Sequence, residues 1–147
     1  MLKVRCQASA TLDAKGRLAL PAPLRRAFGV HDVTSLVLTF NEGALWGWTP
    51  DIFESQVERP LNEQDQFDAR VRHFTHRILA PAQDIEVDRQ GRIRIPPLLR
   101  RLAGLDKDVM INSLGDRLEI WDRPSWEAYF EQCLTQEPSV DGMPRTS

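Results

Sequence analysis

The sequence lacks the features of a secreted, disulfide-linked or membrane-spanning protein. It has two cysteines, Cys6 and Cys133, near opposite ends of the chain and without the close spacing of a thiolate metal site. It has no run of about eighteen apolar residues, and residues 1–15 do not resemble a signal peptide. We therefore expect a soluble, cytosolic protein whose cysteines stay reduced.

Patterns that indicate bound metals or nucleotides are also missing or weak. No Gly-rich nucleotide fingerprint is present, and no Ser, Cys and His residues have the spacing of a catalytic triad. His73 and His76 could contact one metal ion from a helix, but no acidic residue shares their face. His31 stands alone. We therefore predict no metal site and no cofactor.

Asp13 and Asp88 form the one pattern that points to catalysis. A pair of related carboxylates suggests a dyad that shares a proton, as in some hydrolases. Arg17 and Arg92, each four residues after its aspartate, would instead keep both carboxylates ionised. We therefore expect no catalytic residues, no enzymatic activity and no small-molecule substrate.

The small net charge of −2 conceals a strong sorting of charge along the chain. Residues 13–26 contain four basic residues and one aspartate, and residues 88–101 contain five basic residues and one aspartate. Residues 51–68 contain six acidic residues and one arginine. Nucleic-acid-binding domains are usually basic overall, but two basic segments can still form a local basic face.

The two basic segments are copies of one pattern. Residues 13–29 and 88–104 match at eight positions with a constant offset of 75. The matched pairs are Asp13/Asp88, Gly16/Gly91, Arg17/Arg92, Pro21/Pro96, Leu24/Leu99, Arg25/Arg100, Arg26/Arg101 and Gly29/Gly104. The repeat is therefore expected to be the unit of the fold.

Each copy predicts a β-hairpin. Short β-prone stretches, 8–12 and 84–87, precede the turns, and apolar residues alternate at period two in 18–20 and 93–95. Gly16 and Gly91 suit positive φ angles in the turns. Asp13 and Asp88 can brace the turns by accepting hydrogen bonds from their amides, and each can pair with the arginine four residues later.

A short helix is predicted after each hairpin. Pro21 and Pro96 suit the first helical position, and Gly29 and Gly104 suit the helix end. The apolar positions share one face, which leaves both Arg-Arg pairs pointing outward. The apolar residues are Leu24, Ala27 and Phe28 in the first helix and Leu98, Leu99 and Leu102 in the second.

A second strand pair follows each short helix. The predicted strands are 36–40 and 44–48 in the first copy and 109–113 and 117–121 in the second, with core aromatic residues and helices starting at Pro50 and Pro124. Between the copies, the spacing of apolar residues in 62–79 predicts a connecting helix that is capped by Asn62 and ends before Pro81.

A single repeat of about 45 residues is near the lower size limit for folding alone, so two copies should pack together. The predicted fold is α+β, mostly β with short helices, in which two repeats form one pseudo-twofold, β-barrel-like domain. The predicted divisions are a first repeat (8–57), a connecting helical segment (58–81), a second repeat (82–133) and a disordered tail (134–147).

The motif D-x-x-G-R-h-x-h-P-x-x-L-R-R-x-x-G is similar to that of AbrB-type swapped-hairpin transcription factors. Two tandem copies with a helical insertion resemble the MraZ branch, and the resemblance covers about 11–130. It implies a DNA-binding fold and a ring-shaped homo-oligomer. It also implies binding to direct repeats in the promoter region of the division and cell-wall gene cluster, usually as a repressor, in the nucleoid-containing cytoplasm.

The resemblance also assigns DNA-binding residues. They are Lys15, Arg17, Arg25, Arg26, Arg92, Arg100 and Arg101. We expect Lys15 and Arg17 to contact base edges and the Arg-Arg pairs to contact phosphates. The chain departs from the family at Val4 and Cys6, where relatives usually have Phe and Gly, so the docking of the first strand can differ.

One alternative has a different partner. It is a protein-interaction scaffold or antidote in which DNA contact is secondary, since AbrB-like folds also occur as the DNA-binding part of toxin antidotes, where a disordered acidic tail wraps the toxin. The tail of this chain is short and has few apolar anchors, which argues against that role. The predicted partners are double-stranded DNA and further copies of the chain, and no membrane.

Overall fold

Two similar halves follow one another in the computed structural model, which describes residues 3–136 and 140–142. The first half contains β1 (Val4–Thr11), β2 (Arg17–Ala19), α1 (Ala22–Val30), β3 (Ser35–Asn41) and β4 (Ala44–Trp48). The second contains β5 (Gln83–Glu86), β6 (Arg92–Arg94), α5 (Pro97–Leu102), β7 (Asp108–Gly115), β8 (Leu118–Asp122) and α6 (Arg123–Thr135). The prediction of a mixed α+β fold built from two repeats is confirmed.

A linker with its own helices joins the halves. It contains α2 (Pro50–Phe53), a π-helical turn (Glu54–Glu58), α3 (Arg59–Asn62) and α4 (Ala69–Leu79). The predicted single helix 62–79 was wrong at its start, because Asn62 ends α3 and the side chain of Asp68 caps α4 by accepting a hydrogen bond from the Arg70 amide. Its predicted end before Pro81 is correct.

Strands from the two halves pair with each other in both sheets. Six strands form one antiparallel sheet in the order β1-β7-β8-β4-β3-β5, and β2 pairs with β6 in a separate two-stranded ribbon. The first strand of each half therefore pairs with the third strand of the other half: β1 pairs with β7, and β5 pairs with β3. Neither half could form this sheet alone.

The registers obey a pseudo-twofold relation. Ala10 lies opposite Val109, and the equivalent Ile85 lies opposite Leu36. The predicted barrel-like closure is not seen, because β1 and β5 remain at opposite edges of an open sheet within the described residues. β5 is shorter than β1, since Pro81 lacks an amide hydrogen for a strand ladder.

The predicted local hairpins are replaced by pairing between halves. The turns 13–17 and 88–92 form as expected, closed by hydrogen bonds from the Asp13 amide to the Arg17 carbonyl and from the Asp88 amide to the Arg92 carbonyl. After each turn, however, the chain leaves its own first strand, and β2 and β6 pair with each other. Local alternation predicted the strands correctly but could not identify their partners.

One apolar core is shared by both halves. Its buried members include Leu18, Leu20 and Leu24 from the first half and Ile93, Ile95 and Leu99 from the second. A smaller cluster of Val37, Trp48 and Phe53 packs beneath the linker. The buried Thr39 hydroxyl donates a 2.5 Å hydrogen bond to the Ile78 carbonyl, which ties α4 to β3.

Three predictions for the second half need correction. On α5 only Leu99 is buried, whereas Leu98 and Leu102 are exposed because this short helix covers the core with one residue. Trp121 is buried as predicted, but Trp126 is half-buried and packs against the aromatic rings of α6. α6 continues to Thr135, across the predicted start of the tail, and residues 137–139 and 143–147 lie outside the described residues.

Candidate nucleic-acid interface

The turns 13–17 and 88–92 are built around an aspartate. Asp13 Oδ1 accepts hydrogen bonds from the amides of Lys15 and Arg17, at 2.9 and 2.8 Å. In the second turn, Asp88 Oδ1 accepts equivalent bonds of 2.9 Å. Gly16 and Gly91 have φ angles of +82° and +74°, which other residues rarely adopt.

Each aspartate also holds the arginine that ends its turn. Arg17 Nε lies 2.7 Å from Asp13 Oδ2, and Arg92 Nε lies 3.0 Å from Asp88 Oδ2. Hydrogen bonds from the backbone and then the side chain of Arg17 lower the pKa of Asp13. The Arg92 amide, followed by its side chain, lowers the pKa of Asp88. Both carboxylates are thus held in the ionised form, which is unsuited to a proton-sharing dyad.

The two arginines remain available to a ligand. Their side chains are 53% and 48% exposed, and the ion pairs use Nε. Within the described part of the chain, their terminal nitrogens have no hydrogen-bonding partner. Asp13 and Asp88 therefore orient the guanidinium groups of Arg17 and Arg92 without blocking the two nitrogens that bind phosphate or guanine.

The β2–β6 ribbon places these arginines on one surface. Leu18 and Ile93 lie opposite each other and are buried against the core. Because strand side chains alternate between faces, the neighbouring positions point outward: Arg17, Ala19, Arg92 and Arg94. We call this outward surface the ribbon face.

Arg94 is a basic residue of the ribbon face that the site prediction missed. The alternation of Arg92, Ile93, Arg94 and Ile95 contained the signal, because it places Arg92 and Arg94 on the same side of β6. The repeat comparison concealed it, since the equivalent residue of the first half is Ala19. Residues that are identical in both repeats therefore do not include every basic side chain of the ribbon face.

The first arginine of each helical pair lies against the turn of the other half. A β-carbon on Gly91 would lie 2.3 Å from Cγ of Arg25, and one on Gly16 would lie 3.0 Å from Nε and Cζ of Arg100. The two glycines therefore allow Arg25 and Arg100 to pack directly on the turns. Arg100 Nε is buried and has no hydrogen-bonding partner among the described residues.

These contacts create two pseudo-symmetric clefts. One cleft, of 940 Å³, lies between the first turn and α5, and its lining includes Asp13, Arg100 and Arg101. The other, of 430 Å³, lies between the second turn and α1, and its lining includes Arg25 and Arg26. Each cleft is therefore composed of a turn from one half and an arginine pair from the other.

The structure thus brings the predicted residues together in two composite groups. The first contains Lys15, Arg17, Arg100 and Arg101, and the second contains Arg25, Arg26 and Arg92. All are exposed except Arg100, which is half-buried. The ribbon connects the two groups because Arg17 and Arg92 belong to its paired strands.

His73 and His76 are exposed on α4, and the described ranges contain no group of three or more His, Cys, Asp or Glu side chains placed to hold a metal ion. Within 3–136 and 140–142, no helix has the length and apolar character needed to cross a membrane.

Comparisons with known proteins agree with the two-repeat architecture. A family model described as "MraZ protein, putative antitoxin-like" matches residues 7–76 and 78–146. A transcriptional regulator MraZ from Legionella pneumophila (strain Corby) is 37% identical over 137 residues, which cover 91% of this chain and 90% of that protein. Transcriptional regulator MraZ from Treponema denticola is 39% identical over 123 residues, covering 83% of each chain. Transcriptional regulator MraZ from Treponema pallidum is 44% identical over 128 residues, covering 84% of this chain and 82% of the relative.

Proposed function

The chain belongs to the MraZ family of transcriptional regulators, and from this membership we propose that it is a sequence-specific DNA-binding protein, most simply a repressor. Its targets are direct repeats in the promoter region of the division and cell-wall gene cluster. It acts in the cytoplasm at the nucleoid, and it has no enzymatic role. The observation that carries the proposal is the joining of two basic clefts by one arginine-bearing ribbon.

The shape and chemistry of the ribbon face suit duplex DNA. The major groove admits a two-stranded β-ribbon. Arginine remains charged at any working pH, and its planar group can donate two parallel hydrogen bonds to a phosphate or to the edge of guanine. Lys15 and Arg17 at the first turn, with Arg92 at the second, are the candidates for base contacts.

The helical arginines flank the ribbon and suit the DNA backbone. Arg26 and Arg101 are exposed on α1 and α5, next to Arg25 and Arg100, which pack on the turns. Phosphate contacts orient a protein on DNA, while base contacts provide sequence preference. We assign the four helical arginines to phosphates, with Arg25 and Arg100 also holding the turns in place.

A ring-shaped homo-oligomer would add the contacts that one subunit lacks. Large apolar side chains are exposed on two regions away from the ribbon, with Phe67 and Phe74 of the linker 92% and 48% exposed, and Phe130 and Leu134 of α6 44% and 69% exposed. Such side chains suit contacts between copies. Several weakly binding modules on one ring gain affinity on regularly spaced DNA repeats through high effective concentration.

The direct test combines Arg17→Ala with Arg92→Ala. We expect this variant to lose binding to the promoter DNA upstream of its own gene in a mobility-shift or anisotropy assay. Wild-type binding should weaken steeply with added salt because bound arginines displace counterions from DNA. Circular dichroism and oligomer mass should stay unchanged, since both side chains are on the surface.

A matched control removes the same charge elsewhere. Arg59 and Arg70 also form exposed ion pairs, with Glu54 and Asp68, but lie in the linker. The variant Arg59→Ala with Arg70→Ala should bind DNA like the wild type. Equal loss in both double variants, or wild-type binding by the Arg17/Arg92 variant, would contradict the assignment to the ribbon face. Absence of binding in the wild type would favour the scaffold or antidote alternative.

A further inference from the structure

The ribbon face is not symmetric. Arg94 is exposed on β6, and its equivalent on β2 is Ala19. The register places Arg94 directly opposite Arg17, and Arg92 directly opposite Ala19. One end of the ribbon therefore has two facing arginines, whereas the pseudo-symmetric end has one arginine and an alanine.

The facing arginines occupy the closer type of strand pair. The Ile95 amide donates to the Gly16 carbonyl, and the Leu20 amide donates to the Gly91 carbonyl, so these flanking positions are hydrogen-bonded. Hydrogen-bonded and non-hydrogen-bonded positions alternate along an antiparallel ladder. Arg17 and Arg94 thus form a non-hydrogen-bonded pair, in which Cα atoms lie about 4.5 Å apart and side chains are closest.

Of the two facing guanidinium groups, only that of Arg17 pairs with a carboxylate among the described residues, that of Asp13. Like charges directly opposite each other destabilise a strand pair. Arg17 is partly neutralised by Asp13, at 2.7 Å. Among the described residues, no carboxylate forms an ion pair with Arg94. This end of the ribbon therefore has an excess positive charge that an external anion would neutralise.

We propose that Arg94 binds a phosphate of duplex DNA beside Arg17, and that this contact gives the ribbon a preferred orientation on its binding site. The inference rests on the DNA-binding function proposed above. A phosphate fits better than a base edge, because only an anion removes the repulsion between two facing guanidinium groups. The Ala19–Arg92 end lacks this contact, so the two ends bind DNA unequally.

The primary test is the salt dependence of DNA binding by Arg94→Ala. Losing one phosphate contact should lower the slope of log K against log salt by about 0.9 for each bound subunit. Affinity should fall by similar factors on the promoter site and on unrelated duplex of equal length. The thermal midpoint of the free protein should not fall, because the substitution removes a repulsion rather than a packing contact.

Arg94→Glu separates stability from binding more sharply. A glutamate opposite Arg17 would form a cross-strand ion pair, which we expect to raise the thermal midpoint of the free protein. The same variant should bind DNA more weakly than Arg94→Ala, because it places a carboxylate near the phosphate. A variant that loses binding while gaining thermal stability cannot owe the loss to unfolding.

Ala19→Arg provides the matched gain of contact. It places a new arginine opposite Arg92 and recreates the facing pair at the other end. We expect the salt slope to increase by about 0.9 for each bound subunit. Combining Ala19→Arg with Arg94→Ala should restore the wild-type salt slope, but with the two facing arginines at the opposite end of the ribbon.

Binding by the Arg94→Ala variant and by the Arg17/Arg92 variant separates the Arg94 contact from DNA binding itself. An unchanged slope in Arg94→Ala, together with lost binding in the Arg17/Arg92 variant, overturns the Arg94 contact and leaves the DNA-binding function intact. If Arg94→Ala weakens DNA affinity only for sites that contain one particular base pair, the phosphate assignment is overturned. No binding by the wild-type chain overturns both proposals.

Discussion

The two halves form equivalent backbone hydrogen bonds but differ in the charged side chains on their surfaces. The Leu20 amide donates to the Gly91 carbonyl, and the equivalent Ile95 amide donates to the Gly16 carbonyl, so the turns are joined to the opposite half in the same way. The outer side chains diverge at Ala14/Arg89, Lys15/Gln90 and Ala19/Arg94. A nearly symmetric scaffold can therefore present an asymmetric surface to its ligand.

This comparison separates residues that shape the turn from residues that face the ligand. Asp13 and Asp88, with their following glycines and arginines, form the same bonds in both halves. The positions that differ have exposed side chains that make no contact needed by the turn. Substitutions at equivalent positions of the two halves can show how far this equivalence extends.

Truncating the shared core should affect both halves equally. Leu20 and Ile95 are equivalent and 1% and 0% exposed. We expect Leu20→Ala and Ile95→Ala each to reduce the free energy of unfolding by about 2–5 kcal/mol, because both leave a cavity in one core. Urea unfolding should show a single transition in each variant. Two separate transitions, one for each half, would contradict the shared core.

Substituting the two turn glycines should reduce the stability of the protein by different amounts. In Gly16→Ala the new β-carbon would lie 2.7 Å from the Ile95 carbonyl oxygen, which the ribbon holds in place. In Gly91→Ala it would instead lie 2.3 Å from Cγ and 3.2 Å from Cβ of Arg25, so this side chain would have to adopt another rotamer. Both variants lose about 1–2 kcal/mol through the positive φ angle, and we expect Gly16→Ala to lose more.

Thermal denaturation of both glycine variants tests that order, and DNA affinity provides a second measurement. Gly91→Ala should weaken DNA binding beyond its effect on stability, because it displaces Arg25 from the turn. An equal loss of stability in the two variants would show that the contacts at the turns do not differ in rigidity.

The turn aspartates should contribute little to the stability of either half. The folded state lowers the pKa of Asp13 and Asp88 below 3.8, so it favours their charged forms. Their contribution to stability is present above about pH 4 and is lost as pH falls through the lowered pKa. The variant Asp13→Asn with Asp88→Asn should be slightly less stable than the wild type at pH 7.

This difference should shrink as pH falls below 4, and thermal midpoints measured between pH 7 and pH 2 would record it. Single variants of Asp13 and Asp88 should behave alike, because both turns use the same hydrogen bonds. A difference that grows towards low pH would contradict the ionised state assigned to the two carboxylates.

Local features of the fold were predictable from the sequence. The turns, the Asp–Arg pairs and the helix start at Pro50 follow from the conformational preferences of Gly, Asp and Pro, which act within a few residues. The last helix starts at Arg123, one residue before the predicted Pro124. Most predicted site residues also follow from the repeat, because the Arg-Arg pairs are conspicuous in both copies.

Long-range features were not predictable in this way. The pairing of β2 with β6 joins Leu18 to Ile93, 75 positions later in the chain. Alternation within a strand contains no information about its partner. The start of α4 was misplaced because Asn62 and Asp68 are both acceptable caps, and only packing determines which one is used. The facing of Arg17 and Arg94 became visible only once the register was known.

Hydrogen–deuterium exchange with and without promoter DNA can show whether both halves contribute their turns to one DNA-binding face. We expect slower amide exchange on DNA binding in both 13–20 and 88–95, with unchanged exchange in α4. Protection limited to one of these segments, or protection of α4 in their place, would contradict it.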